Sequence, residues 1–433
     1  MNIGVIGTGY VGLVAGACLA ESGNDVWCVD SDAAKIERLK AGTIPIYEPG
    51  LPEIVERNLR EERLTFTTDL DAAVKKSFVI FIAVGTPPAP DGAADLTAVC
   101  QVATAIGRAM DRYKVIVVKS TVPVGTSEKL REILKKETKH PFDLLSNPEF
   151  LKQGAAVEDF MKPDRVVVGA DDVRAAEILR DLYAPFVRTG SPVLLVDVRT
   201  AELLKYAANA FLAARISFMN EIANLCETVG ANVDMVRKAL ASDSRIGPAF
   251  LFPGVGFGGS CFPKDIKAVI DPGRKHKYGM QILEAVDAVN QGQPARFVEK
   301  IRKHFEGNLR DKRLAVWGLS FKPRTNDMRD APAIKIIESL LADGAAVAAY
   351  DPEATDEAKR IFGGRIQLSS SNYGCLEGAD ALLIVTEWQA FRNPNFERIK
   401  GMMRQPVLFD GRNIFDPAVL RQLGFTYYSV GRA

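Results

Sequence analysis

The sequence predicts an α/β protein with two Rossmann-like parallel-sheet domains joined by a central helical domain that contains a long helix. Short apolar runs alternate with helical stretches at the start of the chain, which is typical of a parallel sheet covered on both faces. Residues 201–229 contain neither Gly nor Pro and therefore predict one long helix. The alternation of strands and helices returns after about residue 297.

The first predicted domain covers residues 1–196. It opens with a short apolar strand, "NIGVIG", followed by the turn "GTGYVG", the small-residue helix "LVAGACLAESG" and a second strand, "DVWCVD". Three further apolar runs, "SFVIFIAVG", "KVIVVKST" and "RVVVGA", are predicted to be buried strands.

The central domain, residues 197–297, is predicted to be helical around the long helix. The stretch "RIGPAFLFPGVGFGGSCFPKD" interrupts it without any helical or strand period. Irregular stretches of this length inside a compact domain are usually functional loops.

The last domain, residues 298–433, repeats the pattern of the first. "KRLAVWGLSFKP" predicts a strand and turn, "APAIKIIESLLADG" a helix, "AAVAAYDP" a second strand ending at Asp351, and "ADALLIVTEW" another strand. We therefore interpret this domain as a looser copy of the first.

Composition excludes several classes of function. The 433 residues carry 55 Lys and Arg against 54 Asp and Glu, so no charge excess favours nucleic acid or an anionic membrane. No apolar run approaches the ~18 residues of a membrane helix, and "MNIGVIGTG" lacks the features of a signal peptide. We therefore expect a soluble, cytoplasmic protein that binds neither nucleic acid nor membrane.

Metal binding is not predicted. The six cysteines include no CxxC pair, and His140, His276 and His304 lie in charged, loop-like or helix-surface settings. These patterns do not fit a zinc site or a histidine-activated nucleophile.

The turn after the first strand predicts an NAD site. Gly7, Gly9 and Gly12 form G-x-G-x-x-G between a strand and a helix, where a pyrophosphate can approach the helix N-terminus. Asp30 ends the second strand, 18 residues past Gly12, and is placed to hold a ribose hydroxyl and to repel the 2′-phosphate of NADP.

Other polar residues admit both a functional and a structural interpretation. Lys205 and Asn209 share a face of the long helix, although Lys205 could also extend its ammonium to the surface. Thr121, after Ser120 in "STVPVG", follows a strand end where α/β sheets bind ligands, or simply forms a turn. Glu149 could be an ordinary acid in the first turn of a helix.

The turn of the second copy, "GLSFKPRTNDMR", lacks the glycine fingerprint and carries Lys322, Arg324 and Arg329 instead. Such a turn suits phosphates held by side chains rather than by the backbone. A solvated charged loop is the alternative.

Cys261 is a candidate nucleophile. Its flanks, "GFGGS" and "FPKD", are expected to form loops, and Lys264 and Asp265 provide nearby charge. A thiol whose pKa is about 8.5 needs only modest help to react near neutral pH. Isolated cysteines are nevertheless most often inert apolar residues.

Together these motifs resemble the UDP-glucose/GDP-mannose dehydrogenase family. The resemblance rests on "GTGYVG", "STVPVG", "NPEFL", "ELLKYAANAFLA", "GFGGSCFPKD", "FKPRTNDMR" and "FDGRN", which span nearly the whole chain. "GGSCFPKD", with Phe262 after the cysteine, is more similar to the UDP-glucose enzymes than to the GDP-mannose enzymes.

The resemblance implies an NAD-dependent, twofold oxidation of UDP-glucose at C6 to UDP-glucuronate, a precursor for polysaccharides. In this chemistry Cys261 forms a thiohemiacetal and then a thioester. The resemblance also implies a homodimer or a higher homo-oligomer. Another UDP- or GDP-sugar, such as GDP-mannose, is the alternative substrate.

The resemblance further implies roles for individual residues. The catalytic residues would be Cys261, Lys205, Asn209, Asp265, Thr121 and Glu149. The NAD-binding residues would be Gly7, Gly9, Tyr10, Val11, Gly12, Asp30, Lys35, Thr86, Thr121, Gln153, Lys264 and Arg329. The substrate-binding residues would be Glu149, Phe150, Leu151, Lys152, Lys205, Asn209, Arg245, Phe250, Leu251, Phe252, Pro253, Gly254, Gly258, Lys322 and Arg412.

Several alternatives remain open on sequence alone. The family pattern has an acid where this chain has Gln153, so a carboxylate role at that position is in doubt. The Tyr10 hydroxyl would project toward the nicotinamide side or serve packing. A module that only senses NAD, or an alcohol dehydrogenase that stops at the aldehyde, would explain the glycine turn but would not need Cys261.

Overall fold

The computed structural model describes residues 1–89, 93–188, 190–275 and 277–432. They form two compact units, Met1–Ala208 and Asn209–Ala433. The boundary between the units falls within one helix.

The first unit contains an eight-stranded sheet in the order β3-β2-β1-β4-β5-β6-β7-β8. All neighbouring pairs are parallel except β6 and β7, which pair antiparallel through Ser146 and Gly169. Its strands are β1 (Asn2–Ile6), β2 (Asp25–Val29), β3 (Leu64–Thr67), β4 (Val79–Ile82), β5 (Lys114–Val118), β6 (Phe142–Ser146), β7 (Val166–Gly169) and β8 (Val193–Val196).

The helices of this unit cover the faces of the sheet. They are α1 (Tyr10–Glu21), α2 (Ala33–Lys40), α3 (Leu51–Arg60), α4 (Leu70–Lys76), α5 (Thr97–Ala109), α6 (Thr126–Glu137), α7 (Ala156–Met161), α8 (Val173–Tyr183) and a 3-10 turn, Ala184–Phe186. Because both faces are covered, central strands such as β4 and β5 are buried at every position and appear in the sequence as continuous apolar runs.

The second unit begins with helices and ends with a second sheet. Its helical part consists of α9 (Val198–Val229), which starts in the first unit, α10 (Val233–Ser242), α11 (Phe262–Lys275) and α12 (Gln281–His304). The long helix expected over residues 201–229 is therefore confirmed. No regular element lies between Ser242 and Phe262, as the irregular sequence there predicted.

The second sheet is six-stranded and entirely parallel, in the order β11-β10-β9-β12-β13-β14. Its strands are β9 (Arg313–Trp317), β10 (Ala346–Tyr350), β11 (Gln367–Leu368), β12 (Ala381–Ile384), β13 (Val407–Asp410) and β14 (Thr426–Tyr428). The accompanying helices are α13 (Pro332–Ala342), α14 (Thr355–Phe362), α15 (Phe396–Met402), α16 (Pro417–Gln422) and the 3-10 turns Gly374–Leu376 and Gln389–Phe391.

Both sheets place their first strand beside their fourth, with the second and third strands on the other side. This is the strand order of doubly wound dinucleotide-binding folds, in which ligands bind outside the carboxyl ends of the strands where the order reverses. The fold class predicted from the sequence, including the copy relationship between the two α/β parts, is confirmed. The single antiparallel pair in the first sheet was not predicted.

Among the described residues no helix is both long and apolar enough to cross a membrane. The three-domain boundaries at residues 196 and 297 remain a prediction.

Candidate active site

The glycine turn after β1 leaves room for a ligand at one position and excludes side chains at the other two. A β-carbon on Gly12 would lie 1.9 Å from the Gly7 carbonyl oxygen, and one on Gly7, whose φ is +102°, would lie 2.7 Å from the Ala83 carbonyl oxygen. A β-carbon on Gly9 would meet no heavy atom within 4 Å. The turn is thus closely packed except at Gly9, where a pyrophosphate can approach the N-terminus of α1.

Asp30 directly follows β2 and is held as a carboxylate beside this turn. One of its oxygens accepts hydrogen bonds from the Thr8 backbone N–H at 2.9 Å, from the Thr8 hydroxyl at 2.7 Å and from Lys35 Nζ at 2.8 Å. Burial opposes ionisation, but these bonds and one from the Asp32 N–H outweigh it and lower the pKa of Asp30 to about 2. A fixed negative charge at this strand end fits NAD and disfavours a 2′-phosphate.

The Tyr10 hydroxyl is engaged within the first unit. It donates a hydrogen bond to Glu48 and accepts one from the Gly154 N–H at 3.0 Å. Glu48 is buried and also accepts bonds from the N–H groups of Gly154 and Ala156 at 2.7 and 2.8 Å. Burial and the bond to Glu48 raise the pKa of Tyr10. The hydroxyl therefore links the glycine turn to the segment that follows Gln153, which agrees with the packing alternative.

Thr86 and Thr121 meet at the carboxyl ends of β4 and β5. The Thr86 hydroxyl donates to the Thr121 carbonyl oxygen at 2.8 Å, and the Ser120 hydroxyl donates to the Val84 carbonyl oxygen at 2.7 Å. Both strand ends are tied together at the edge where α/β sheets bind ligands.

Glu149 and Lys205 form a buried ion pair. Lys205 Nζ lies 3.0 Å from Glu149 Oε1, and the two side chains are 4% and 6% exposed. Burial raises the pKa of Glu149, but Lys205, the Leu151 N–H and Lys119 lower it further, so that the net shift is downward. Lys205 does not extend to the surface, and Glu149 lies ahead of α7 rather than in the first turn of a helix.

Phe150, which follows Glu149, lies beside this ion pair. The Phe150 ring lies between Arg165, whose guanidinium is 3.9 Å from the ring centroid, and Lys205, whose Nζ is 5.4 Å away. Lys152 pairs with Asp159 at 2.9 Å and is more than half exposed.

Cys261 lies directly before the first residue of α11. The stretch "FPKD", predicted to be a loop, is instead the first turn of this helix, because Pro263 suits a first turn, where its missing N–H costs nothing. Cys261 is half-buried, and its Sγ lies 3.7 Å from the Ser260 hydroxyl. The N-terminus of a helix stabilises a thiolate.

Asp265 links the cysteine helix to α9. The Asn209 amide Nδ2 donates to Asp265 Oδ2 at 2.6 Å, and Lys264 Nζ lies 2.9 Å from Asp265 Oδ1. Asp265 is 1% exposed. Asn209 on α9 thus forms one polar cluster with Lys264 and Asp265, which lie in the first turn of α11.

Carboxamides hold the glycine-rich loop ahead of Cys261. Gly254 donates its N–H to Asn220 Oδ1 at 2.8 Å and accepts from Gln293 Nε2 at 2.9 Å. Asn290 accepts from the Phe257 N–H at 2.8 Å and donates to the Phe257 carbonyl oxygen at 3.0 Å. We call Asn220, Asn290 and Gln293 the amide clamp; it fixes the loop backbone from α9 and α12.

The same loop packs on the end of the second sheet. A β-carbon on Gly258 would lie 2.2 Å from the Asp330 carbonyl oxygen, and the Gly259 N–H donates to the Arg329 carbonyl oxygen at 2.8 Å. Arg412 donates from Nη1 to the Gly256 carbonyl oxygen at 3.1 Å. Gly258 thus allows the loop to approach the basic turn closely.

The backbone of the second turn is occupied by Asp351. This aspartate directly follows β10, as Asp30 follows β2, but it accepts hydrogen bonds from the N–H groups of Leu319 and Ser320 at 2.7 and 3.0 Å. Those N–H groups are therefore committed to a side chain. Phosphate binding by side chains of this turn, such as Lys322, stays a prediction.

Two further predicted substrate residues lie on the surface, as Lys152 does. The side chain of Arg245 is 87% exposed and pairs with Asp243 at 2.6 Å. Phe252 is 63% exposed and lies under the Arg237 guanidinium, 4.5 Å from its ring centroid. The neighbouring Leu251 is buried.

Within the first unit the structure therefore groups the glycine turn with Asp30 and Lys35, Thr86 with Thr121, and Glu149 with Lys205 and Phe150. Within the second unit it groups Cys261 with Asn209, Lys264 and Asp265, and Arg412 with the glycine-rich loop. No group of three or more His, Cys, Asp or Glu side chains suited to a metal ion occurs in the part of the chain that the structure describes. His276 lies outside that part.

Sequence reasoning missed several buried polar residues, among them Glu48, Lys119 and Asn290. Lys119 follows the apolar run "VIVV", the same signal of a cation in apolar surroundings that drew attention to Lys205. Glu48 and Asn290 carry no comparable signal, because their partners are distant in sequence: backbone groups for both and, for Glu48, also the Tyr10 hydroxyl.

Three models of one family match successive parts of the chain. They are described as the NAD-binding domain, the central domain and the UDP-binding domain of the UDP-glucose/GDP-mannose dehydrogenase family, and they match residues 1–187, 199–292 and 315–417. The chain belongs to the UDP-glucose/GDP-mannose dehydrogenase family. The NAD-binding match contains Asp30 and Glu149, the central match Lys205 and Cys261, and the UDP-binding match Lys322.

Individual members of the family are similar over the full length. UDP-glucose 6-dehydrogenase of Pseudomonas aeruginosa is 47% identical, and the alignment covers 100% of this chain and 98% of that protein. The solved structure of a UDP-glucose dehydrogenase from Pyrobaculum islandicum is 39% identical with a TM-score of 0.93, covering 100% and 98% of the two chains. That of a UDP-D-ManNAc dehydrogenase from Pyrococcus horikoshii is 28% identical with a TM-score of 0.88, covering 100% and 99%.

Proposed function

We propose that this chain is an NAD-dependent dehydrogenase that oxidises UDP-glucose twice at C6 to give UDP-glucuronate. The observation that carries the proposal is the position of Cys261, a half-buried thiol at the N-terminus of α11 beside the cluster of Asn209, Lys264 and Asp265. A thiol can supply the nucleophile that the second oxidation requires, because an aldehyde cannot release hydride until a nucleophile has added to it.

The reaction balances with two NAD and one water. The C6 alcohol loses a proton and a hydride to become an aldehyde. Cys261 Sγ then bonds to C6, which gives a thiohemiacetal; loss of a second hydride from C6 gives a thioester. Water breaks the C6–S bond, which releases the carboxylate and returns the thiol.

NAD supplies the hydride acceptor for both oxidations. The open space at Gly9 and the ionised Asp30 fit its pyrophosphate and its adenosine ribose. The other residues that we propose to bind NAD are Gly7, Tyr10, Val11, Gly12, Lys35, Thr86, Thr121, Gln153, Lys264 and Arg329.

Lys205 and Asn209 are proposed to stabilise the negative charge that develops on the C6 oxygen. The buried pair with Glu149 favours the ammonium form of Lys205, since a buried cation requires an opposite charge. A positioned donor of this kind typically contributes ~3–4 kcal/mol to a transition state.

Proton transfers are assigned to the remaining catalytic residues. Asp265 and Thr121 move protons through water, and Glu149 assists hydrolysis of the thioester. Gln153 can accept a hydrogen bond but cannot take a proton. Glu149 and Asp265 therefore carry more of the proton transfer here than in family members that have an acid at this position.

The UDP portion is proposed to lie on the second unit. Lys322 supplies positive charge in the turn whose N–H groups Asp351 occupies, and Arg412 supplies it after β13, where it contacts the glycine-rich loop. The other proposed substrate contacts are Phe150, Leu151, Lys152, Arg245, Phe250, Leu251, Phe252, Pro253, Gly254 and Gly258. Arg245, exposed in this chain, would act on a partner subunit's substrate.

A homodimer is part of the same proposal. Phe211, Phe218 and Leu225 recur every seven residues on α9 and are 65%, 52% and 55% exposed. An apolar stripe of this kind along a helix is self-complementary and can pair with a second copy around a twofold axis. The proposal places the enzyme in the cytoplasm, where UDP-glucose and NAD occur.

A panel of nucleotide sugars tests the substrate. The purified protein is incubated with NAD and, separately, UDP-glucose, UDP-N-acetylmannosamine or GDP-mannose, and NADH is followed at saturating cofactor. We expect the highest kcat/KM with UDP-glucose. A higher kcat/KM with either of the other sugars would identify that sugar as the substrate in place of UDP-glucose. If no NADH formed with any of the three, the protein would be a module that only binds the cofactor.

A further inference from the structure

Lys119 is a buried cation that the proposed reaction does not use. It follows β5 directly and is 4% exposed. Its Nζ donates to Asn147 Oδ1 at 3.1 Å and to the Tyr183 hydroxyl at 3.3 Å, and it lies 5.9 and 5.8 Å from the ring centroids of Phe160 and Tyr183. Lysine is rarely buried without a charged partner, so its position needs a reason.

Asn147 transmits this contact to three strands. Its backbone N–H donates to the Val118 carbonyl oxygen at 2.9 Å and its Nδ2 donates to the Val167 carbonyl oxygen at 2.7 Å, while its Oδ1 also accepts from the Tyr183 hydroxyl at 2.6 Å. Asn147 thus ties the ends of β5, β6 and β7 together, two residues before Glu149. Lys119 and Tyr183 fix its side chain.

Lys119 also adds positive charge beside Glu149. Both line a cavity of about 50 Å³. Burial lowers the pKa of Lys119 to about 8, with the Glu149 carboxylate opposing that shift and Lys205 adding to it. Glu149 therefore lies in a buried group of two ammonium ions and one carboxylate, in which Lys205 is its direct partner.

Other charged or titratable groups also surround Glu149. The cavity is lined by Asp159 on α7, by Asp164 and Arg165 ahead of β7 and by Tyr183 on α8, and Tyr10 on α1 interacts with Glu149 as well. Of these groups only Arg165 is cationic, and it stacks on Phe150.

We propose that Lys119 is a positioning residue that holds the turn carrying Glu149 and keeps this carboxylate ionised when Lys205 turns its ammonium to the substrate. The proposal rests on the proposed function only for what Glu149 does in the reaction. Without a second cation, a carboxylate that is 7% exposed would take up a proton as soon as its ion pair opened, because burial disfavours the charged form.

The variant Lys119→Met tests the charge, with Tyr183→Phe as the matched control that removes a hydroxyl and keeps the cation. Loss of a nearby cation raises the pKa of a carboxylate, so we expect the acidic limb of kcat for UDP-glucose oxidation to move up by about one pH unit. At pH values below the acidic limbs of both enzymes, the kcat of Lys119→Met should be about tenfold lower than that of the unmodified enzyme. Tyr183→Phe should leave the limb in place.

An equal loss of kcat at every pH, with the limb unmoved, would indicate a role in stability alone and would overturn the proposal. Lys119→Gln, which keeps a donor for Asn147, serves where the methionine variant does not fold. The ionisation of Glu149 is followed without substrate by infrared spectroscopy, as the carboxylate signal that Glu149→Gln removes. That signal should titrate below the usual pKa of a glutamate in the unmodified protein and higher in the Lys119 variants; titration at the same pH in all of them would overturn the proposal, even if UDP-glucose is not the substrate.

Discussion

Asp30 and Asp351 occupy the same position in the two α/β parts and differ in what they bind. Each directly follows the second strand of its α/β part. Asp30 accepts from one backbone N–H of the glycine turn, that of Thr8, and from Lys35, and the turn stays open at Gly9. Asp351 accepts from two backbone N–H groups of the turn after β9, those of Leu319 and Ser320. One aspartate is therefore suited to hold a ribose hydroxyl, and the other closes the backbone site.

Replacement of Asp30 should weaken the discrimination against NADP. In Asp30→Ala the carboxylate is lost while Lys35 remains, so we expect kcat/KM for NAD to fall and the ratio of NAD to NADP use to narrow at least tenfold. Because the pKa of Asp30 is lowered to about 2, its charge is present at all pH values above that and is lost only as the pH falls through about 2. The preference of the unmodified enzyme should consequently be constant from pH 6 to pH 9.

Lys35→Ala is the matched control, since it removes the partner and leaves the acid. It should not improve use of NADP. Equal use of both cofactors by the unmodified protein would contradict this role of Asp30.

The thiol of Cys261 can be tested separately from the first oxidation. In Cys261→Ser we expect NADH to appear in a burst of one to two equivalents per site and then nearly to stop, because a serine without a base is a weak nucleophile. Intact-protein mass spectrometry after quenching detects an adduct on the peptide that contains position 261. Sustained turnover within a few-fold of the unmodified enzyme, with no adduct, would mean that water and not sulfur adds to the aldehyde.

The elements around Cys261 are held mainly by neutral amides. The amide clamp supplies hydrogen bonds to both backbone groups of Gly254 and of Phe257. Since carboxamides do not titrate, the position of the loop should not depend on pH. Buried backbone groups that lose such partners cost ~1–3 kcal/mol each.

Asn290→Ala should therefore release the loop. We expect a lower melting temperature and a changed rate of alkylation of Cys261 by iodoacetamide, measured on the isolated peptide. The fold decrease in kcat should be larger than the fold increase in the KM for NAD. Gln291→Ala, the exposed neighbour on α12, controls for the helix itself. Unchanged alkylation and kcat in Asn290→Ala would show that the loop keeps its position without the clamp.

At this scale the sequence predicted what local patterns encode. The strands of both sheets with continuous apolar runs, the long helix α9 and the irregular stretch before Cys261 all follow from periodicity. The first turn of α11 was missed because "FPKD" contains a proline and two charges, which favour a loop or a helix start equally. The amide clamp was not predictable, since Asn290 meets Phe257 only after folding, 33 residues apart.

The whole molecule contains two sheets, with helices between them in sequence. The first six strands of the larger sheet have the same order as the six strands of the smaller one, but the turns after the first strand differ. The two parallel sheets were predictable from the repeated strand–helix pattern, whereas the antiparallel pair between β6 and β7 rests on a single residue pair and leaves no period in the sequence. Glycine positions distinguished the cofactor turn from the basic turn. The oligomeric state depends on which apolar side chains of α9 remain exposed after folding, and local sequence patterns do not show this.

The apolar stripe on α9 should control the oligomeric state. We expect a dimer by light scattering for the unmodified protein, and a monomer for the double variant Phe218→Glu with Leu225→Glu, because two charges would be buried without partners at the interface. Val173→Glu, at a position on α8 that is 72% exposed, should leave the dimer intact. A dimer that persists in the double variant would place the interface elsewhere.

The number of NADH formed per UDP-glucose consumed tests the central claim most directly. With limiting UDP-glucose and excess NAD, the reaction is run to completion, NADH is measured by absorbance and the sugar nucleotides are separated by chromatography. The account predicts two NADH for each UDP-glucose and UDP-glucuronate as the only product. One NADH per UDP-glucose, with the aldehyde accumulating, would contradict the role of Cys261 and leave a simple alcohol dehydrogenase.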